Sequence, residues 1–285
     1  MIPLCIPEIS GNELKYVKDC IDTGWVSSAG KYTKEFEDRF CEYTKAEKAV
    51  VTVNGTSALH LAMACLDIGE GDEVIVPSMT FVATVNAVMY TGASPVFVDV
   101  CRDTFVMDVE KVEELITRKT KAILPVHLYG HPVDMDKLMD IARRHGIYVI
   151  EDATESLGSY CKDRHTGTIG HIGCFSFNGN KLITTGGGGM LVTNDEIVGD
   201  RAKFLSTQAK NVTDNGGYYH CDVGLNYRMP NILAAMGIGQ LERIDEFTKK
   251  KRSNASYYMD LLKDTKGITL PCEKEWAKNV HWLFS

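Results

Sequence analysis

Apolar and polar positions along this chain alternate on two scales. Short β-branched runs at 49–53, 74–76, 96–98, 122–126 and 148–150 are separated by stretches with helical period at 56–65, 81–90, 109–117 and 135–145. Strand and helix in regular succession predict an α/β fold with an open, mostly parallel sheet, because parallel neighbours need a crossover and a helix supplies it. Ahead of this region Ser10 and Glu13 have the spacing of a capping box, which predicts a helix running to about Thr23. Phe36, Phe40 and Tyr43 mark the apolar face of a second helix.

Further on, 174–177 and 190–193 flank a glycine-rich segment and predict a hairpin. From Asn231 a helical period persists through Leu233, Met236, Ile238, Leu241 and Ile244, and after Gly267 the pattern turns β-like. The expected organisation is a large domain over 1–245 and the start of a smaller α/β domain over 246–285. The closing NVHWLFS stops inside an apolar run, so the expectation is a chain shortened at its C-terminus, with the small domain incomplete.

In such sheets ligands gather beyond the carboxyl ends of the strands. The residues that follow the apolar runs there are Asn54-Gly55-Thr56-Ser57, Pro77 through Phe81, His127 through Gly130, and Glu151 through Glu155. The stretch FSFNGNKLITTGGGG adds Lys181, set between a β-like aromatic run and four glycines. A triphosphate loop would require GxxxxGK[ST]. Here the glycines follow the lysine and Leu182 stands where the magnesium-binding hydroxyl should be, so that chemistry fails. Pyridoxal phosphate asks for other parts: an amine for a covalent anchor, a carboxylate for the ring nitrogen, a flat side chain against the ring, and hydroxyls or amides for the phosphate. Lys181, Asp152, Phe81, and Thr56 with Ser57 and Ser176 are candidates for those parts. Each has a plain structural alternative: a solvated turn lysine, a helix cap, a core aromatic, and hydroxyls that only cap or pair within a hairpin.

Charge narrows the classes. With 31 basic against 38 acidic side chains the net charge of −7 offers polyanions no general attraction, so nucleic acid is not an expected partner. The KKKR at 249–252 reads as one solvated helix face. The nine cysteines are odd in number and lack any CxxC pair, which predicts reduced thiols and a cytoplasmic protein. No secretory leader and no apolar run long enough to span a membrane is evident. No HExxH spacing suggests a metal, and His127 with His131 reads as a loop beside the cofactor.

Taken in order, GWVSSAGKYTKEFE, NGTSALHLA, DEVIVPSMTFVATVNAV, GASPVFVDV, VHLYGHPVDMD, VIEDATESLGS, CFSFNGNKLITTGGGGMLVT and GLNYRMPNILAAMGIGQLE resemble the DegT/DnrJ/EryC1/StrS sugar-nucleotide aminotransferases. That resemblance implies fold type I, with a mostly parallel seven-stranded sheet, and pyridoxal 5′-phosphate as cofactor. It implies Lys181 as covalent anchor and general base, Asp152 at the pyridine nitrogen, Phe81 on the ring, and Thr56, Ser57 and Ser176 at the phosphate. Glu155 occupies the position near the phenolic oxygen where relatives commonly carry glutamine, and Asn226 is expected to reach the phosphate of the neighbouring subunit of a homodimer. Arg228 either supports that crossing or makes a surface ion pair. GWVSSAG, at 24–30, either faces the sugar or joins two helices.

The implied reaction moves an amino group from L-glutamate, leaving 2-oxoglutarate, to a nucleotide-linked 4-keto-6-deoxy sugar for glycan biosynthesis. The alternatives are a 3-keto sugar nucleotide as acceptor, or a regulatory protein that binds the cofactor without turnover.

Overall fold

The computed structural model describes residues 5–213 and 215–285. Seven strands form the central sheet: β1 (Lys48–Thr52), β2 (Glu73–Pro77), β3 (Ser94–Val98), β4 (Thr120–Ile123), β5 (Tyr148–Asp152), β6 (Ile172–Ser176) and β7 (Gly189–Thr193). Their spatial order is β1-β7-β6-β5-β4-β2-β3. The pairs β2–β3, β2–β4, β4–β5 and β5–β6 are parallel, whereas β7 runs antiparallel to both β6 and β1. The expected open, mostly parallel sheet is therefore present, and the 174–177 and 190–193 runs do pair, with Cys174 opposite Leu191.

Helices cover both faces, as strands with buried side chains on either side require. They are α1 (Glu13–Thr23), α2 (Lys31–Thr44), α3 (Gly55–Cys65), α4 (Ala83–Tyr90), α5 (Met135–His145), α6 (Glu196–Ser206), α7 (Asn231–Leu241) and α8 (Ile244–Leu262). On one side Leu59, Leu61, Val74, Ile75, Ile123, Met135 and Leu138 form one buried core. On the other Phe36 and Phe40 of α2 meet Phe175 and Phe177 with ring centroids 5.0–5.6 Å apart, beside Ile238 of α7. No helix among the described residues is long and apolar enough to cross a membrane.

Four local expectations change. The helix to Thr23 forms, but its N-cap is Asn12 without a side-chain cap bond. Ser10 Oγ instead accepts from Arg243 and Glu13 accepts from the Gly11 amide and Gln240, so tertiary partners replace the capping box. The 109–117 stretch is two single 3₁₀ turns, Val109–Lys111 and Glu113–Leu115, because Val109, Val112 and Leu115 recur every third residue and suit three residues per turn. The helical period after Asn231 is split between α7 and α8. Beyond Gly267 only Ala277–Lys278 is strand, paired with Tyr160–Cys161, and the rest is fixed by side chains: Lys274 N–H donates to His131 Nε2 and Val280 N–H to Ser159 Oγ.

The carboxyl end of β5 is held by Glu151, which is fully buried. Its Oε1 accepts from the amides of Ile169 and Gly170 at 2.7 and 2.6 Å, and its Oε2 accepts from the Gly167 amide and His127 Nε2, both at 2.8 Å. Because His127 Nδ1 accepts from the Val133 amide, the ring proton sits on Nε2 and donates to the carboxylate. The loop this carboxylate gathers lies so close to β6 that a Cβ on Gly173 would stand 1.9 Å from the Gly167 oxygen, so only glycine fits there.

Burial pushes the Glu151 carboxyl up, but the donors from His127, Gly170 and Gly167 outweigh it and hold its pKa below the ordinary 4.5. A depressed carboxyl contributes stability that is present above its unfolded-state value and lost as pH falls through its folded value. The expected outcome is that thermal stability drops as pH falls below about 4.5, while Glu151→Gln is less stable at neutral pH by about 3 kcal/mol and has a shallower acid limb. Melts of both proteins across that range check this; parallel acid limbs would contradict the assignment.

Candidate active site

Beyond the carboxyl ends of β1, β2, β5 and β6 lies one cleft, lined by Thr56, Phe81, Thr84, Asp152, Thr154, Glu155, Ser176, Lys181 and Trp282 among others. Each side chain arrives there for a local reason. Asp152 ends β5, where alternation of side chains sends Glu151 into the protein and Asp152 into the cleft. Its Oδ2 accepts from Thr84 Oγ1 at 2.7 Å and its Oδ1 from the Thr154 amide at 3.1 Å. No helix follows Asp152, which removes the helix-cap alternative.

Asn54 caps α3 by accepting from the Ser57 amide at 2.7 Å, leaving the start of that helix facing the cleft with Thr56 on its wall. Ser57 itself is buried and is not among the lining residues. A Cβ on Gly55 would lie 2.9 Å from Ser176 Cβ and 3.1 Å from Thr154 Cγ2, so glycine lets the first turn of α3 close on the end of β6. Phe81 is not core: it is 68% exposed on the cleft wall just ahead of α4.

Lys181 lies in the connection between β6 and β7, past the strand end, and its side chain is only 13% exposed, which removes the solvated-turn alternative. Its Nζ is 3.7 Å from Glu155 Oε1 and 3.9 Å from the centre of the Trp282 ring. Glu155 Oε2 accepts the Tyr129 amide at 2.8 Å, an N–H turned inward by the left-handed backbone of Tyr129 (φ 53°). Burial lowers the Lys181 pKa, with Glu155 and Asp152 pulling it back up. Burial raises that of Glu155 against the opposing pull of Lys181 and the Tyr129 amide. Both shifts run toward the neutral forms, as burial of each group requires.

Sequence reasoning missed Thr84 and Trp282. Thr84 sits in the quoted PSMTFVAT and is one helical turn from Thr80, whose hydroxyl it meets at 2.8 Å, but nothing in that spacing announces a carboxylate partner. Trp282 comes from the far C-terminal segment. Its Nε1 donates to Asn180 O at 2.7 Å and its carbonyl accepts from Lys251 Nζ at 2.9 Å. Lys251 and Arg252 therefore anchor this segment, Arg252 pairing with Glu273 at 2.8 Å, and the 249–252 run is not simply a solvated face.

Asn226 is exposed and lies outside its own chain's cleft. Arg228 reaches inward, 3.4 Å from the buried Glu37 carboxylate, with Nε donating to Ser28 O. The 24–30 segment joins α1 to α2, as its structural alternative expected.

The donor set fits pyridoxal phosphate. A largely buried lysine and a fixed carboxylate face one cleft, a helix start supplies an anion site, and an uncovered aromatic face stands ready for a ring. Fold and site thus define a pyridoxal-phosphate-dependent aminotransferase. The chain belongs to the DegT/DnrJ/EryC1/StrS aminotransferase family, whose sequence profile matches residues 7–285. It is 48% identical over 284 residues to a GDP-perosamine synthase of Escherichia coli O157:H7, spanning 100% of this chain and 77% of that protein. Among solved structures it is similar to DesV of S. venezuelae in complex with a ketimine intermediate, with a TM-score of 0.90 and 36% identity over 96% of this chain and 72% of that one. It is also similar to Spr1654 of Streptococcus pneumoniae in its PLP form, with a TM-score of 0.93 and 30% identity over 99% and 77% of the two chains.

Thr84→Val should weaken cofactor binding by about 1–3 kcal/mol, because Asp152 Oδ2 loses its donor inside a buried site; titration followed by cofactor absorbance checks this, and unchanged affinity would remove Thr84 from the site. The depressed Lys181 amine should react with an acylating reagent in cofactor-free protein at a lower pH than the exposed lysines do. Peptide mass spectrometry across a pH series reads the order.

Proposed function

We propose that this chain transfers an amino group from L-glutamate to C4 of a nucleotide-linked 4-keto-6-deoxy sugar, giving a 4-amino sugar nucleotide for glycan biosynthesis and 2-oxoglutarate. The observation that carries it is the Lys181 amine, buried within 3.7 Å of Glu155 in the cleft that Asp152 enters from β5. The 48% identity to a GDP-perosamine synthase supports the 4-keto acceptor over a 3-keto sugar or a protein without turnover.

When bound, pyridoxal phosphate supplies an aldehyde for an amine and an electron-withdrawing ring. The chain's own groups do the rest. Asp152, held by Thr84 and the Thr154 amide, presents a carboxylate to the ring nitrogen, and Phe81 covers one ring face. Thr56 and Ser176, with the positive end of α3, hold the phosphate, whereas Ser57, buried behind the cleft wall, supports that helix start. Lys181 anchors the cofactor; when free, its amine takes the proton from the α-carbon of glutamate and later delivers one to C4 of the sugar. Glu155 is raised by burial and held by the Tyr129 amide, which lessens the repulsion a carboxyl would exert on the phenolic oxygen.

The protein acts as a homodimer in this reading, with Asn226 serving the partner's phosphate, which accounts for its exposed place outside its own cleft. The unpaired state of all nine cysteines supports a reducing, cytoplasmic setting.

Purified protein with cofactor should absorb in the visible, glutamate should bleach that band, and the matching 4-keto sugar nucleotide should restore it. Lys181→Ala should abolish the cycle by at least about a thousandfold. A band indifferent to glutamate would rule the transaminase reading out.

A further inference from the structure

The residues on either side of Asn226 are tied into their own chain. The Leu225 amide donates to Leu205 O at 2.7 Å and the Tyr227 amide to Ser206 O at 3.0 Å, while the Gln208 amide donates to Leu225 O at 2.9 Å. The Val53 amide, just past β1, donates to Tyr227 O at 2.8 Å. Gly224 packs so close to the facing segment that a Cβ there would stand 1.9 Å from the Gln208 carbonyl carbon. Residues 225–227 therefore run as a short extended piece, bridged at Asn226 to Thr207, and successive side chains leave it on opposite sides. Leu225 and Tyr227 pack against the core, whereas Asn226 is turned out to solvent. Arg228 closes the far end on Glu37 and Ser28.

One side-chain contact completes this brace. The Tyr227 hydroxyl meets His60 Nδ1 at 2.9 Å, and the two rings lie edge to face with centroids 5.8 Å apart. Burial holds the His60 pKa below the ordinary 6.5 and pushes the Tyr227 phenol up, so at neutral pH an O–H faces a neutral ring nitrogen. His60 is the one imidazole in an otherwise apolar run of α3, ALHLAMA. Thr56 and His60 stand at i and i+4, on one face of that helix and one turn apart. The same face thus carries a cleft-wall hydroxyl at its start and the Tyr227 contact a turn later.

We infer that Tyr227 and His60 are positioning residues for the cofactor of the partner subunit. They fix Asn226 to the helix that holds the phosphate of its own chain, so each α3 serves two phosphates: its own through its first turn, the partner's through Asn226. This rests on the homodimer reading above, in which Asn226 crosses to the neighbouring site. Neither Tyr227 nor His60 lines the cleft of its own chain, so their contact acts at a distance from that site. An amide that reaches across a subunit boundary must be placed within hydrogen-bond tolerance, and a carrier segment free to shift would lose that contact first. The backbone pairing sets the direction in which Asn226 points, and the hydroxyl–imidazole contact sets its distance from α3.

The test uses differently tagged chains, co-expressed and purified as mixed dimers. Lys181→Ala removes the anchoring amine from one chain, so the visible band of lysine-bound cofactor reports the other site alone. Tyr227→Phe is placed either on the chain with the competent lysine or on the chain opposite. The pyridoxal phosphate concentration giving half the band should be about fivefold higher with Tyr227→Phe on the opposite chain than on the competent one, the loss of one orienting hydrogen bond. Unphosphorylated pyridoxal should show no difference between the placements. His60→Ala, placed the same two ways, reads the other end of the contact and decides the matter should Tyr227→Phe chains not assemble. In homodimers Asn226→Ala with Tyr227→Phe should weaken pyridoxal phosphate no more than Asn226→Ala alone, because both act through one contact. Equal affinity in the two placements, a larger loss on the competent chain, or the same difference with unphosphorylated pyridoxal overturns the inference. Sedimentation of the wild type separates the readings: a monomer removes the homodimer and this inference with it, whereas a dimer indifferent to placement removes the inference alone.

Discussion

Two adjacent carboxylates at the end of β5 set the terms for everything around them. A strand sends successive side chains to opposite faces, so Glu151 and Asp152 are buried in different surroundings and must find different partners. Glu151 collects four donors from the 167–170 loop and His127, which knits β5, β6 and the loop after β4 into one unit. Asp152 is left facing the cleft with Thr84 and the Thr154 amide. The structural carboxylate is fully satisfied by protein; the site carboxylate keeps room for a ligand. Without the first, the second would have no fixed address.

The Lys181 and Glu155 pair shows how burial prepares chemistry. In water a lysine and a glutamate would both be charged and would gain little from each other. Inside the cleft each loses solvation, which lowers the lysine and raises the glutamate against their mutual attraction. The Trp282 ring closes the third side, so the amine has one carboxylate, one aromatic face and the open cleft around it.

The C-terminal segment enters this arrangement from outside the sheet. Its backbone makes only a two-residue strand pairing, and polar side chains hold it: Arg252 to Glu273, Lys251 to the Trp282 carbonyl, Lys274 to Asp103. It thereby joins α8 to the cofactor cleft. A single basic stretch of sequence thus serves structure at Lys251 and Arg252 and leaves Lys250 facing solvent.

The order of strands and helices, the covered faces of the sheet, and the likeness of Lys181, Asp152 and Phe81 to parts of one site were legible in the sequence, because periodicity reports burial and short motifs report local backbone. The capping box at Ser10 failed because Arg243 and Gln240, more than two hundred residues away, compete for the same groups. Thr84 and Trp282 carried no local signal, since their roles exist only as contacts with Asp152 and Lys181. The sequence by itself determined which segments must be strand or helix and which residue types could perform the chemistry. Only the tertiary structure decided which of them meet and how far burial shifts a proton, because distance and desolvation belong to the folded arrangement of segments far apart along the chain.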